Sequence, residues 1–500
     1  MAILGLDGVS LELIRSSAQE GHMPNLSKIM KKGVYGQLMS TIPPISPVAW
    51  TSISTGLNPG KHGIFGFLDR HYRPHSSLKL RKKAIWDIIS IYGKKSLCLN
   101  VPLTYPPYPL REGIMVAGPP SPKEIAYSNP AAIAKELEEN VGYKVDIEGL
   151  HEDYTGMRET EFLRRAGEVT LARAEALLYL MDEMRWDLLF TVFTTPDRVL
   201  HVFFGRAIED SPFYDPRARR SLARYFKLLD DAIGKVLSAL PSDAVVFFVS
   251  DHGFEPLFKY VGLLNLIETF SAEHGANCLV RAGKKLLSRS RLSAAVKRWI
   301  TRLGMTKLAR QRLGRGLECG MGYIYVSDAL PREELGALIS HLSAVVDAEM
   351  GAKVIERIFR RDELYYGPFV KDAPDLILVP SRGYELRTVL DDVFKEVRLD
   401  RGMICKTGTH AGFMARRGFF AITGEGVKKG VELRASVYDV APTALYVLGL
   451  PVPSYMDGRV LLEAFEEKRP PSRMIRIPEI REQVSVKARR LRSRLLRGQS

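Results

Sequence analysis

The chain has 500 residues, 46% hydrophobic and 26% charged, which excludes a disordered or fibrous protein and leaves room for one large core. Four cysteines, Cys98, Cys278, Cys319 and Cys405, lack CxxC spacing, which argues against a disulfide framework or a thiolate zinc site. The net charge of +15 comes from two segments: Ser271–Gly316 carries twelve Lys/Arg against one acid, and Lys468–Ser500 eleven against two, so the rest of the chain is slightly acidic and lacks the charge of a nucleic-acid-binding body.

The pattern opens at once on a strand, Ala2–Leu6, with no basic region and apolar stretch ahead of it. No later run reaches the roughly 18 apolar residues of a membrane span. A cytoplasmic protein is expected, with a peripheral seat at the membrane surface as the variant. Asp7 stands directly behind the first strand, in LGLDGVS. In STIPPISPVAWTSISTG, Ser46 precedes Pro47, and the helix-compatible run ends at Gly56. This predicts a helix with Ser46 at its N-cap and Pro47 as first helical residue.

A strand at Ser96–Asn100 follows, then an amphipathic stretch over Glu159–Met184 and a strand at Leu188–Thr194. Behind that strand, TTPDRVLH places Asp197 and His201 at i and i+4, on one face of a helical turn. A second amphipathic stretch, Arg220–Leu240, leads to a strand at Val245–Ser250 and then to Asp251-His252, in VSDHGF. The basic segment 271–316 reads as a helical insertion capping the body. After it come an amphipathic Arg332–Val346, a strand at Asp375–Pro380, and His410 in TGTHAGF ahead of a strand at Gly418–Thr423. Pro470-Pro471 marks the end of the folded body, and the tail KARRLRSRLLRG reads as a basic helix. Strand–helix alternation predicts a doubly wound, mainly parallel α/β sheet with helices on both faces. Residues 1–270 and 317–467 would form it, apart from the insertion and the tail 468–500.

In open sheets of this kind ligands bind beyond the carboxyl ends of the strands. Four segments deliver Asp or His to that edge: Asp7, Asp197 with His201, Asp251 with His252, and His410. Three carboxylates and three imidazoles suit two divalent ions. Ser46, at a helix N-terminus, brings a hydroxyl to a place where free N–H groups favour a bound anion.

The order Asp7, Ser46, Asp197-x-x-x-His201, Asp251-His252, His410 is similar to the metal and nucleophile order of the alkaline phosphatase superfamily. The stretch from Ser46 through TG-x-x-P-x-x-HGI, Thr55 to Ile64, resembles the type I phosphodiesterase/nucleotide pyrophosphatase branch. The likeness runs from Ala2 to Leu462 outside the basic insertion. It implies an alkaline-phosphatase-like sheet, with Asp197, His201 and His410 holding one ion and Asp7, Asp251 and His252 the other. Ser46, where the branch usually has Thr, would be a further ligand and the nucleophile.

The implied ions are zinc, with manganese as the other candidate. The implied reaction is cleavage of a phosphodiester or pyrophosphate bond through a phosphoserine intermediate, on a small phosphate ester or a lipid headgroup. The alternatives are a phosphomonoesterase or phosphotransferase of the same superfamily, and a catalytically reduced protein that meets membrane or nucleic acid through its basic tail. Where the branch carries an Asn that contacts phosphoryl oxygens, this chain has Phe67; Asn100 is the candidate substitute, or else a turn residue before Pro102. A sulfatase would carry Pro and Arg where Val48 and Trp50 stand. His62 reads as a loop-fixing residue.

Overall fold

The structure is a computed structural model that describes residues 1–70, 73–80, 82–121, 127–150, 154–273, 317–320, 322–326, 332–388, 390, 392–400, 402–467 and 473–474. Nine strands form the central sheet: β1 (Ala2–Leu6), β2 (Val34–Met39), β3 (Ser96–Val101), β4 (Ile114–Ala117), β5 (Ser128–Asn129), β6 (Leu188–Phe193), β7 (Val246–Val249), β8 (Arg417–Thr423) and β9 (Val431–Ser436), in the spatial order 9-2-8-7-1-6-3-4-5. β1 runs parallel to β6 and β7, β3 to β4 and β6, and β9 to β2, whereas β8 is antiparallel to β2 and β7 and β5 to β4. The central strands β1, β3, β6 and β7 are buried along their whole length, which is why their sequences are mostly apolar, with Ser96, Asn100 and Thr191 as the polar exceptions.

Among the helices are α1 (Ser46–Thr55), α2 (Glu159–Glu183), α3 (Thr195–Ala207) and α4 (Pro216–Ala239). α2, α3 and α4 pack together over one face of the sheet, with Phe162, Phe203, Phe226 and Leu229 in the same core as Leu4 and Phe248. The other face buries Trp50 and Ile53 of α1 against Ile3, Phe190 and Phe247. A helix layer on each face makes the sheet doubly wound, as expected from the sequence.

Three expectations need correction. The strand near Asp375–Pro380 forms as Leu376–Pro380 but lies outside the main sheet. It pairs antiparallel with Ile355–Arg360 and Tyr323–Val326, over a separate core that includes Leu338, Leu342 and Leu386. All five residues of that strand are buried and apolar, and a buried antiparallel strand gives the same apolar run as a parallel one. Ser46 is the first helical residue rather than the cap: Ile45 takes the extended cap conformation at φ −119° and ψ 140°, and Pro47 is second. Finally, pairing continues past Pro470-Pro471, because Arg473–Met474 forms a parallel ladder with Val452–Pro453. Of the expected basic cap at 271–316 only residues 271–273 are described, as the end of the helix Leu263–Glu273; the rest of it and the tail helix lie outside the described residues. Cys98 and Cys405 are buried free thiols. Among the described residues, no helix is long and apolar enough to cross a membrane.

Candidate metal and nucleophile site

The carboxyl ends of β1, β6 and β7 are neighbours, so the residues behind them converge. Asp7 follows β1, Asp197 sits in the first turn of α3 just after β6, and Asp251-His252 follow β7; all four are buried. His410 enters from the loop before β8, where the two-residue strand Gly408–Thr409 pairs with Glu255–Pro256. Asp7, Asp251 and His252 each place one donor atom within 4.8 Å of the others, and so do Asp197, His252 and His410. His201 joins through Nε2, 3.5 Å from Asp197 Oδ1, and its ring lies 5.1 Å from that of His410. His252 thus belongs to both groups, its ring stacked on His410 at 4.1 Å and 28°. Ser46 Oγ is 3.4 Å from both Asp7 Oδ1 and His252 Nε2. Six acid and imidazole side chains and one hydroxyl therefore meet.

The surrounding bonds aim these donors inward. His201 Nδ1 is 2.9 Å from the Gly408 carbonyl, His252 Nδ1 3.1 Å from Gly253 O and His410 Nδ1 3.0 Å from Pro44 O, which leaves each Nε2 toward the centre. Gly8 N–H donates to Asp251 Oδ1 and Trp50 Nε1 donates to Asp7 Oδ2 at 3.2 Å. Asp197 Oδ1 and Asp251 Oδ2 are buried with no hydrogen-bond partner among the described residues. Burial, with Asp251 and Asp197 nearby, pushes the Asp7 pKa well up, and burial with Asp197 pushes Asp251 up to about 8. Burial holds His201 and His410 neutral, their pKa values well down, with Lys406 adding to the effect on each and His410 and His252 respectively contributing. Crowded carboxylates with unpartnered oxygens, next to neutral imidazoles, fit a pair of divalent cations by both charge and donor type.

Asn100 does not join this group. Fully buried at φ +60°, it donates to Val192 O and Thr194 Oγ1 and accepts from the Tyr143 hydroxyl, so both ends of its amide are spent inside the sheet edge. Asn tolerates this left-handed backbone well. His62 is also structural: Ile64 N–H donates to its Nδ1, its Nε2 is 3.1 Å from Ser52 Oγ, and burial takes its pKa down to about 3. Phe67 is about half exposed, at 48%.

The sequence reading passed over four neighbours. Arg198 donates to Asp197 Oδ2 and is clamped by Asp146. Trp50 holds Asp7. Phe254 lies edge-on to His201 at 4.8 Å. Lys406 pairs with Glu385 at 2.7 Å beside the loop of His410. The first three adjoin motif residues and were legible as such; Lys406 carries no local signal.

The sheet and this site define a phosphoryl-transfer hydrolase of the alkaline phosphatase superfamily, acting on phosphoric esters. The family model for type I phosphodiesterase / nucleotide pyrophosphatase matches residues 1–402, and the chain belongs to that family. Two solved structures of phosphonoacetate hydrolase from Sinorhizobium meliloti 1021 share the fold. The one in complex with phosphonoformate has a TM-score of 0.55 at 16% identity, covering 89% of this chain and 95% of that one. The one with phosphonoacetate has a TM-score of 0.57 at 15% identity, with the same coverage. No curated protein sequence matches the chain.

Proposed function

We propose that the chain cleaves phosphodiester or pyrophosphate bonds with Ser46 as nucleophile, beside two divalent ions. The observation that carries this reading is the position of Ser46 Oγ, 3.4 Å from a ligand atom of Asp7 and of His252 at the first turn of α1. Asp197, His201 and His410 would hold one ion, and Asp7, Asp251 and His252 the other with Ser46. When bound, such ions supply Lewis acidity and neutralise charge on the transferring phosphoryl group. Zinc is the favoured metal from the His-rich donor set, with manganese as the competitor.

The chain's own part follows from its geometry. Pro47 has no N–H, and the Val48 and Ala49 N–H groups donate to the Ile45 carbonyl, so the positive end of the α1 dipole, rather than a row of free N–H groups, is what would stabilise phosphoryl oxygens there. Ser46 Oγ, without its proton, bonds to phosphorus as the ester oxygen leaves, which gives a phosphoserine. Water then cleaves the Ser46 Oγ–phosphorus bond and restores the hydroxyl. Trp50 fixes Asp7, and Arg198 fixes Asp197, so neither carboxylate has to reorganise as charge moves.

The test compares bis-p-nitrophenyl phosphate with p-nitrophenyl phosphate, with and without added Zn²⁺ or Mn²⁺. Preference for the diester, dependent on metal, is the expected result; a clear preference for the monoester points to the phosphomonoesterase alternative. Ser46→Ala should abolish turnover while metal content stays near wild type, and retained turnover would remove Ser46 from its role. For the basic tail, peripheral membrane contact is the reading its composition favours. Truncation after Met474 should then reduce sedimentation with anionic liposomes, and an intact chain that never sediments would end that idea.

A further inference from the structure

Beyond the metal ligands, a pair of arginines near the site has no acid to answer it. Arg357, exposed on the strand Ile355–Arg360, and Arg416, half-buried just ahead of β8, both lie against the Phe413 ring, with guanidinium carbons 4.6 Å and 5.0 Å from its centroid. Among the described residues neither makes an ion pair. Among the described residues the Arg416 side chain donates only to the Ser40 carbonyl, at 3.4 Å from Nε and 3.3 Å from Nη2, which leaves most of its guanidinium protons unused. Two cations on one ring, one of them partly desolvated, repel unless an anion joins them. Burial lowers the Arg416 pKa first, and Arg357 lowers it further, while Tyr438 opposes.

The surroundings hold this pair in place and tie it to the site. The buried Glu255 carboxylate accepts from the Met414 and Ala415 N–H groups, so the turn carrying Phe413 is fixed. Gly253, next to His252, donates to the Ala415 carbonyl at 2.7 Å, which seats Arg416 one residue from that contact. His410 opens the same turn, and Ser40, which Arg416 holds, begins the loop that ends at Ser46.

Resting on the proposed reading of the site, we propose that Arg357 and Arg416 form an oxyanion subsite for a second anionic group of the substrate, a distal phosphate or a carboxylate beyond the bond that is cut. Planar, bidentate guanidinium donors suit both oxyanions, and Phe413 serves as the platform the two cations share.

The experiment is isothermal titration calorimetry on the full chain with three hydrolysis-resistant probes: methylphosphonate, which has one anionic group; methylenediphosphonate, whose second group is a phosphonate; and 3-phosphonopropionate, whose second group is a carboxylate. In the wild type at least one of the two-group probes should bind more tightly than methylphosphonate, and which one does so identifies the distal group. That advantage should fall about tenfold or more in Arg357→Met/Arg416→Met, the size expected for losing charge-assisted bonds. Arg357→Met alone, at an exposed position, should show a smaller fall and keeps the test open should the double variant fail to fold. No advantage in the wild type, or equal weakening of all three probes, overturns the subsite. The comparison needs no turnover, so inactivity toward bis-p-nitrophenyl phosphate would sink the diesterase reading and leave this result standing.

Discussion

Arg198 Nη1 donates to Asp197 Oδ2 at 3.0 Å, between residues adjacent in the chain, and so turns the other carboxylate oxygen, Oδ1, into a buried atom with no hydrogen-bond partner. Asp146 grips the guanidinium from the far side at 2.9 Å, and Tyr154 reaches it at 3.4 Å while its ring lies 4.9 Å from that of His201. A cation pressing on the carboxylate proposed to bind metal fixes its orientation and draws charge from it. Arg198→Met should therefore lower metal affinity or turnover by about 10- to 100-fold, the usual cost of losing such an outer partner. Metal content after dialysis, set beside kcat, measures it. A variant that keeps both would show that Asp197 needs no help.

Trp50 gives a second route into the site, through packing. Its Nε1 holds Asp7 Oδ2, and its indole lies over Gly5 of β1, where an added Cβ would stand 2.5 Å from Trp50 Cη2 and 2.9 Å from Val192 Cγ2. Both neighbours are fully buried, so neither can swing aside. Gly5→Ala should cost about 1–3 kcal/mol by overpacking. It should also reduce kcat, because the displaced indole would move Asp7. Urea denaturation and steady-state kinetics together test this; lost stability with unchanged kcat would separate Trp50 from the site.

Much of this was legible in the sequence because the central strands leave their chemistry at one edge. Asp7, Asp197 and Asp251 each follow a strand that is mostly apolar, and four separate loops, once placed on a mainly parallel sheet, had to bring their acids and histidines together. Two features were not legible. β8 enters the sheet antiparallel between β2 and β7, which apolarity alone does not reveal. Asn100 looked available at a strand end, but its amide is consumed by Val192, Thr194 and Tyr143, partners 43 to 94 residues away. Local sequence carries no trace of such partners, and the same holds for Lys406 and the Arg357–Phe413–Arg416 stack.

Removing metal should affect folding as well as turnover. Six proposed ligands, five of them buried and three of them carboxylates whose pKa is raised, are held close by the converging strands. Ligand binding to the folded state alone stabilises it by about 4 kcal/mol at a thousandfold excess over Kd. Dialysis against EDTA should abolish hydrolysis and lower Tm, and Zn²⁺ or Mn²⁺ should restore both. Differential scanning calorimetry with a parallel activity assay reads both effects. A Tm indifferent to EDTA would mean that these side chains hold no structural ion.

Acid stability should depend on Glu385. Burial alone would raise its pKa, but the Arg387 and Lys406 cations, with hydrogen bonds from Lys406 and Thr409, outweigh that and hold it down at about 2. A carboxylate depressed in the folded state binds protons more readily when unfolded, where its pKa is about 4.3. Its contribution is therefore complete above about pH 4.3 and is lost as pH falls toward 2. Glu385→Gln keeps the shape but leaves the buried Lys406 ammonium without its acid, which should cost about 3–5 kcal/mol at pH 7. The difference from wild type should shrink as pH drops through that window. Urea titrations of both proteins at pH 7 and at pH 3 measure it, and a gap that stays constant between the two pH values would show that Glu385 is not ionised in the fold.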